Sequence, residues 1–271
     1  MGSRDMRTAL VTGATDGIGL ETARGMLARG WRVLVHGRTE ARAQEGLAAL
    51  DASPPQALAV WGDFADLAQV SALAEQVRTL AGPLEVLVTN AGIYARHRRL
   101  STDGHELTFA VNYLAPVLLT RRLLPLLTAT PGARVVNVAS GTHESAQQDL
   151  DDLELDTGWD AYLAYANSKL GNVLFSNALA ARYAPQALTS NALHPGVIAT
   201  KLLKVGFGAG GAPCTSGAKT SLYVATDPAL ANLTGRYFSD CRERPASARA
   251  RDRAFGERLW LRTDEMLAAW L

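Results

Sequence analysis

The strongest constraint on the fold is a regular alternation of short apolar segments with longer amphipathic ones. Seven segments have the composition of β-strands, and they lie at residues 8–12, 32–36, 57–61, 84–89, 133–139, 189–194 and 235–239. Segments of helical length lie between the first six, for example at 17–29, 66–80 and 104–128. Apolar strands that alternate with helices form βαβ units, in which helices cover both faces of a parallel sheet. The sequence therefore predicts a single α/β domain over residues 1–271.

The first predicted strand leads directly into a glycine-rich turn and then into a helix. This turn has the spacing G-x-x-x-G-x-G, with glycines at Gly13, Gly17 and Gly19. Gly13 permits a tight turn, and the other two let the backbone approach a pyrophosphate and let the helix pack close to the sheet. The helix N-terminus adds free N–H groups and a partial positive charge. The motif predicts a doubly wound Rossmann fold of about seven parallel strands, with a phosphate-binding turn that also includes Thr15, Asp16 and Ile18.

The end of the second predicted strand indicates which dinucleotide binds. An acidic residue about 20 positions after the glycine motif usually binds the ribose hydroxyls of NAD. This chain has Gly37 and Arg38 there instead, and a guanidinium favours the 2′-phosphate of NADP. The alternative is that Arg38 is only a solvated loop charge. Asp63 and Phe64 follow the third predicted strand and are candidates for the adenine site, although Asp63 is also a common capping residue.

Further motifs give the chain a resemblance to a known family. In chain order these are NAG (90–92), VNYLAP (111–116), VVNVASG (135–141), YANSK (165–169) and HPGVIAT (194–200). Together with the glycine turn they resemble the short-chain dehydrogenase/reductase family and cover nearly the whole chain. The stretches SGTH and LHPGVIATKL are most similar to its retinol-dehydrogenase-like and protochlorophyllide-reductase-like branch.

The resemblance implies a catalytic tetrad. By position in the motifs, its members are Asn112, Ser140, Tyr165 and Lys169. The resemblance also implies that Tyr165 and Lys169 contact the cofactor, together with residues of the NAG and HPGVIAT motifs, namely Asn90, Ala91, Gly92, Pro195, Gly196, Val197 and Thr200.

The chemistry of carbonyl reduction explains these residue types. Tyr165 can donate a proton to the carbonyl oxygen or accept one from an alcohol. An unperturbed phenol has a pKa of about 10, and Lys169, one turn along the same helix face, is expected to lower it. Ser140 is expected to bind the substrate oxygen, and Asn112 to lie in a helix and hold a water that links Lys169 to solvent. The predicted reaction interconverts an apolar aldehyde or ketone and its alcohol with NADPH. The alternative is a non-catalytic NADP-binding sensor or regulatory protein, which would not need Tyr165 or Ser140.

The least regular segment, residues 201–217, directly follows the HPGVIAT motif. It has four glycines within residues 206–211 and apolar side chains between them. The glycines predict flexibility, either of a tolerated surface loop or of a lid over the substrate. A lid with apolar side chains would favour an apolar carbonyl compound.

Composition limits the partners and the compartment. A formal net charge of +1 gives no reason to expect nucleic acid or an anionic membrane as a partner. Cys214 and Cys241 have no C-x-x-C spacing and the histidines are scattered, so the sequence predicts a reducing compartment and no catalytic metal. No apolar run has the length of a signal peptide or membrane span, which predicts a cytoplasmic protein. The apolar segment 259–271 is expected to pack in the core or to form a homodimer contact.

Overall fold

The strands of the protein form one twisted sheet at its centre. The computed structural model describes residues 6–208 and 210–271. Within them the strand order is β3-β2-β1-β4-β5-β6-β7-β8. The strands are β1 (Thr8–Val11), β2 (Arg32–Gly37), β3 (Ala57–Trp61), β4 (Val86–Thr89), β5 (Ala133–Val138), β6 (Leu188–His194), β7 (Tyr237–Ser239) and β8 (Arg242–Arg244).

The sheet confirms the predicted Rossmann fold and differs from the prediction at one edge. Strands β1 to β7 pair in parallel, whereas β8 pairs with β7 in the antiparallel direction. The eighth strand, β8, was not predicted from the sequence. It consists of Arg242, Glu243 and Arg244, all of which are exposed. A strand without any apolar residue has no hydrophobic pattern by which it can be recognised.

Helices cover both faces of the sheet. They are α1 (Gly17–Leu27), α2 (Glu40–Leu50), α3 (Leu67–Leu80), α4 (Leu107–Phe109), α5 (Ala115–Thr128), α6 (Ala161–Arg182), α7 (Lys201–Phe207), α8 (Cys214–Thr226) and α9 (Arg253–Met266). A π-helical stretch, Ala110–Leu114, joins α4 to α5, and 3₁₀ turns lie at Gly141–Ser145, Pro228–Leu230 and Arg249–Arg251.

Alternate strand residues supply two separate hydrophobic cores. Leu10, Leu34 and Leu87 pack on one face, together with residues of α3, α5, α6 and α9. Val35 and Val88 pack on the opposite face, against α1 and α8 residues among others. Successive strand residues point to opposite faces, so an uninterrupted apolar strand is what a sheet covered on both sides requires.

Segment 201–217 is more regular than its glycine content predicts. It contains α7 and the start of α8, joined by a short connection in which Ala209 lies outside the described residues. Thr200 caps α7, because its Oγ1 accepts a hydrogen bond of 3.1 Å from the Leu203 N–H. Gly208, with a φ of +61°, ends the helix. The prediction of an irregular segment was therefore wrong for residues 201–207.

The C-terminal segment packs in the core, one of the two alternatives predicted for residues 259–271. Trp260 stacks on Phe175 of α6, with ring centroids 5.6 Å apart. The guanidinium groups of Arg121 and Arg182 lie 4.6 and 3.9 Å from the centroid of the Trp260 ring. Among the described helices, none has both the length and the apolar character needed to cross a membrane.

Candidate active site

A cleft of about 1100 Å³ opens at the carboxyl ends of the parallel strands. It lies where the chain order reverses between β1 and β4, the position at which open α/β sheets bind ligands. Asn112 does not line the cleft. The other predicted site residues all do: Gly13, Thr15, Asp16, Gly17, Ile18, Gly19, Arg38, Asp63, Phe64, Asn90, Ala91, Gly92, Ser140, Tyr165, Lys169, Pro195, Gly196, Val197 and Thr200.

The glycine turn is shaped for close backbone contact. Gly13 and Gly17 have φ angles of +63° and +60°, which favour glycine. A Cβ on Gly19 would lie 2.1 Å from the Gly13 carbonyl oxygen, so no other residue fits there. Asp16 is at the N-cap of α1 but its side chain makes no capping hydrogen bond. The first N–H groups of α1 are therefore available to an anion such as a pyrophosphate.

Two side chains that the sequence analysis missed, those of His36 and Thr12, hold this turn in place. Nδ1 of His36 accepts a hydrogen bond of 3.0 Å from the Gly13 N–H, and Nε2 lies 3.0 Å from the Gly62 carbonyl oxygen. Burial lowers the pKa of His36 to about 4, which keeps the ring neutral so that one nitrogen accepts and the other donates. Thr12 Oγ1 accepts from the N–H groups of Asn90 and Ala91 at 2.9 and 3.0 Å.

The predicted adenine end of the cleft contains two arginines. Arg38 is exposed and Arg42 is half-buried, and both line the cleft. Arg42 forms an ion pair with Glu45. The Asp63 Oδ1 accepts a hydrogen bond of 2.9 Å from the Ala65 N–H, so the carboxylate stabilises its own turn as the capping alternative predicts. Phe64 stacks on His36 at a centroid distance of 4.8 Å.

Ser140, Tyr165 and Lys169 line the same cleft. Ser140 follows β5, and both other residues lie on the buried face of α6. The Nζ atom of Lys169 donates a 3.0 Å hydrogen bond to the Val138 carbonyl oxygen and lies 5.6 Å from the Tyr165 ring centroid. Burial lowers the pKa of Lys169 to about 8.

Burial dominates the electrostatics of Tyr165. It raises the pKa of the phenol to about 12, and the neighbouring Ser140 side chain opposes this shift only in part. The expected lowering of that pKa by nearby positive charges stays a prediction. Tyr165 is only 6 % exposed, and removal from water disfavours the phenolate. In this protein the phenol therefore keeps its proton at neutral pH.

Asn112 lies in the π-helical stretch and binds the backbone of Ile93, in the segment that follows β4. Its Oδ1 accepts from the Ile93 N–H at 2.8 Å, and its Nδ2 donates to the Ile93 carbonyl oxygen and the Ser168 Oγ, both at 3.0 Å. A Cβ on Gly92 would lie 3.2 Å from the Asn112 Oδ1 and 3.5 Å from the Lys169 Nζ. Asn112 thus fixes the backbone beside the Lys169 ammonium group, and its predicted water-holding role stays a prediction.

Two histidines position the loop that carries Ser140. The Nδ1 of His143 lies 2.7 Å from the Ser140 carbonyl oxygen, and its Nε2 accepts from the Ser247 N–H at 3.1 Å. The His194 Nδ1 accepts from the Gly141 N–H at 3.1 Å. Burial lowers the pKa of both histidines, so both rings are neutral. His143 thus joins the loop after Ser140 to the C-terminal part of the chain.

Helix α7 packs over Tyr165. The ring centroid of Phe207 lies 5.4 Å from that of Tyr94, 6.2 Å from Tyr162 and 6.1 Å from Tyr165. A Cβ on Gly206 would lie 2.8 Å from the Tyr94 ring. The arginine-rich segment 94–100 also contacts α7. Arg96 Nε donates a 2.9 Å hydrogen bond to the carbonyl oxygen of Val205 on that helix.

Comparisons with known proteins agree with this geometry. The family model described as short chain dehydrogenase matches residues 7–206. Retinol dehydrogenase 12 of Bos taurus is 35 % identical over 276 residues, which cover 96 % of this chain and 86 % of that protein. Polyprenol dehydrogenase of Mus musculus is 38 % identical, with 94 % and 82 % covered. Among solved structures, an uncharacterized protein from Mycobacterium paratuberculosis has a TM-score of 0.80 at 29 % identity and covers 97 % of this chain and 93 % of its own.

Proposed function

Since the chain belongs to the short-chain dehydrogenase family, we propose that it is an NADP-dependent oxidoreductase that interconverts an apolar aldehyde or ketone and the corresponding alcohol. Membership of the family implies a nicotinamide cofactor. One observation carries the proposal: the open glycine turn lies in the same cleft as Ser140, Tyr165 and Lys169. The uncapped N-terminus of α1 fits the pyrophosphate of a dinucleotide, and the close packing of the backbone at Gly13 and Gly19 shapes the turn that presents it.

The protein's own residues supply proton transfer and charge stabilisation. When bound, the cofactor supplies or accepts the hydride. Tyr165, whose pKa of about 12 keeps it protonated, donates its proton to the carbonyl oxygen. Ser140 Oγ, which lies near Tyr165 and lowers the pKa of its phenol, positions that oxygen and stabilises the charge that develops on it. Lys169 places a cation beside the phenol and stabilises the phenolate that remains.

Arg38 and Arg42 support the preference for NADP over NAD. Arg38 lines the cleft and is exposed, and no ion pair involves it among the residues that the structure describes. Its guanidinium is therefore available for a charge-assisted hydrogen bond to a 2′-phosphate. Arg42 adds a second positive charge nearby, although Glu45 neutralises part of it.

The surroundings of Tyr165 support an apolar substrate, with α7 as the lid. Phe207 and Tyr162 lie above the catalytic residue and are 38 % and 36 % exposed at the mouth of the cleft, and Val197 is 59 % exposed. An apolar group of the substrate would cover these side chains and remove them from water. Two relatives are named for apolar alcohols, retinol and polyprenol. Their names also support an apolar substrate for this protein.

Steady-state oxidation of NADPH with a panel of aldehydes and ketones tests the proposal. We expect turnover of medium and large apolar carbonyl compounds, and faster turnover of an aromatic aldehyde than of pyruvate. Tight binding of NADPH without turnover of any member of the panel would contradict the enzyme assignment and favour a redox sensor. The cytoplasmic location and the possible homodimer stay predictions, which cell fractionation and light scattering would check.

A further inference from the structure

The side chain of Asp16 does not have the partner that its position in α1 provides. Asp16 is the N-cap residue of that helix and has an extended backbone, with φ and ψ angles of −159° and 179°. Aspartate is favoured at an N-cap because its carboxylate accepts hydrogen bonds from the first N–H groups of the helix. The Asp16 carboxylate makes no such bond. Its Oδ2 instead accepts a hydrogen bond of 2.5 Å from the Nζ atom of Lys201.

Three other aspartates at α-helix N-caps show what the Asp16 carboxylate would otherwise do. Asp66 accepts two hydrogen bonds from the first turn of α3, at 3.0 and 3.2 Å. Asp160 and Asp252 accept one each from the first turns of α6 and α9, at 2.9 and 3.0 Å. Of these four aspartates, Asp16 alone pairs with a lysine in the part of the chain that the structure describes. The ion pair with Lys201 therefore accounts for the missing cap of α1.

This ion pair joins two segments that both line the cleft. Asp16 lies in the turn after β1, and Lys201 is the first residue of α7, after β6. The segments also approach each other next to the pair, where a Cβ on Gly17 would lie 3.7 Å from the Thr200 methyl group. The side chains of Lys201 and Asp16 are 80 % and 46 % exposed, so the pair adds little to the stability of the fold. Its main consequence is where it holds the Asp16 carboxylate.

The N–H groups that Asp16 leaves open are the ones that the proposed function assigns to the pyrophosphate of the cofactor. A carboxylate that capped α1 would occupy these N–H groups and would place a negative charge beside the pyrophosphate. Lys201 prevents both effects, because it binds the carboxylate at another position and compensates its charge. The anion site of α1 is thus kept open by a residue from a distant part of the chain.

We propose that Lys201 is a positioning residue for cofactor binding: it holds the Asp16 carboxylate away from the N-terminus of α1, so that the pyrophosphate accepts the hydrogen bonds of the first turn. This inference rests on the proposed function, since it concerns the same dinucleotide site. Lys201 acts through Asp16, which distinguishes this role from a direct contact between the lysine and the pyrophosphate.

Binding of NADPH, measured by its fluorescence, tests the proposal in two backgrounds. Lys201→Met frees the Asp16 carboxylate to cap α1 and should raise the Kd for NADPH by about 3–30-fold, the range that corresponds to the strength of an N-cap. Asp16→Ala removes the competing carboxylate, so in that background Lys201→Met should change the Kd by less than about twofold. Lys201→Arg keeps a cation that can bind Asp16 and should retain the wild-type Kd within about twofold.

Lys204→Met is the matched control, because Lys204 carries the same charge on α7 and is exposed but does not line the cleft. It should leave the Kd for NADPH unchanged. Equal weakening by Lys201→Met with and without the Asp16 carboxylate would overturn the proposal and show that the lysine binds the pyrophosphate directly. An unchanged Kd in Lys201→Met would overturn it as well. Absence of NADPH binding by the wild-type protein would instead contradict the proposed function, and this inference with it.

Discussion

Replacing Tyr165 with Phe removes the proposed proton donor and little else. The side chain is 6 % exposed and its ring packs against Tyr94 and Phe207, contacts that a Phe ring retains. Burial raises the pKa of Tyr165 to about 12, so the phenolate is on the order of 10⁻⁵ of the population at pH 7. The phenol is therefore present almost entirely as an acid, and its removal should lower kcat for carbonyl reduction by ~10²–10⁴-fold.

The assay is NADPH oxidation with an apolar aldehyde, together with NADPH binding measured by fluorescence. Tyr162→Phe is the matched control, because Tyr162 lies on the same helix and also contacts Phe207. Tyr162→Phe removes the same hydroxyl group as Tyr165→Phe, but it should change kcat by less than about tenfold. Retention of more than about a tenth of the wild-type kcat by Tyr165→Phe would mean that another group donates the proton. Loss of NADPH binding by that variant would mean that the hydroxyl acts in binding rather than in chemistry.

Three further predictions concern the cofactor, the lid and the pH dependence of stability. Arg38→Ala should reduce the ratio of kcat/KM for NADPH to that for NADH by about 10–150-fold, the value of one charge-assisted hydrogen bond, and an unchanged ratio would exclude Arg38 from that role. Hydrogen exchange of residues 201–208 and 210–212 should slow when NADP and an apolar substrate are both bound, whereas equal exchange in the free and ternary forms would exclude a lid. His105 forms a 2.9 Å hydrogen bond with Glu154, which raises the pKa of the histidine. Its stabilising contribution is therefore fully present below its unfolded pKa of about 6.5 and is lost as the pH rises through the folded value. His105→Gln should accordingly cost about 1 kcal/mol more at pH 5 than at pH 9 in chemical denaturation, and an equal cost at both values would refute the assignment.

The parts of the site that the sequence predicted are those encoded in short, continuous segments. The spacing of Tyr165 and Lys169 places both on one helix face, and the glycine turn is recognisable because its strand and helix flank it directly. The supporting histidines were not predictable in this way. His36, His143 and His194 receive hydrogen bonds from residues that lie far along the chain or in the loop after another strand, and only the sheet order brings these partners together.

The pKa of Tyr165 shows which part of the electrostatics a sequence motif does not contain. The motif specifies a lysine near the phenol, and an isolated pair of this kind lowers the pKa of the phenol. The chain also covers the phenol with Tyr94 and with Phe207 of α7, and neither contact is contained in the motif. Desolvation then outweighs the other interactions. Whether the pKa of Tyr165 rises or falls therefore depends on the side chains packed around Tyr165 and Lys169. The local sequence does not specify that packing.

The glycines of segment 201–217 are explained by close packing more than by freedom of movement. A Cβ on Gly206 would meet the Tyr94 ring at 2.8 Å, one on Gly211 the Val197 carbonyl oxygen at 2.5 Å, and one on Gly217 the side chains of Ile18 and Ile198 at 2.8 Å. Glycine at these positions lets α7 and its flanks lie directly on the cleft. Phe207 thereby packs edge-on against Tyr165, with ring centroids 6.1 Å apart, so in the proposed function the substrate would lie beside the Phe207 ring when it reaches the phenol. An apolar substrate would pack on that ring, whereas a small charged keto acid would not. In the proposed function, the same contact would link access to Tyr165 with selection for an apolar substrate.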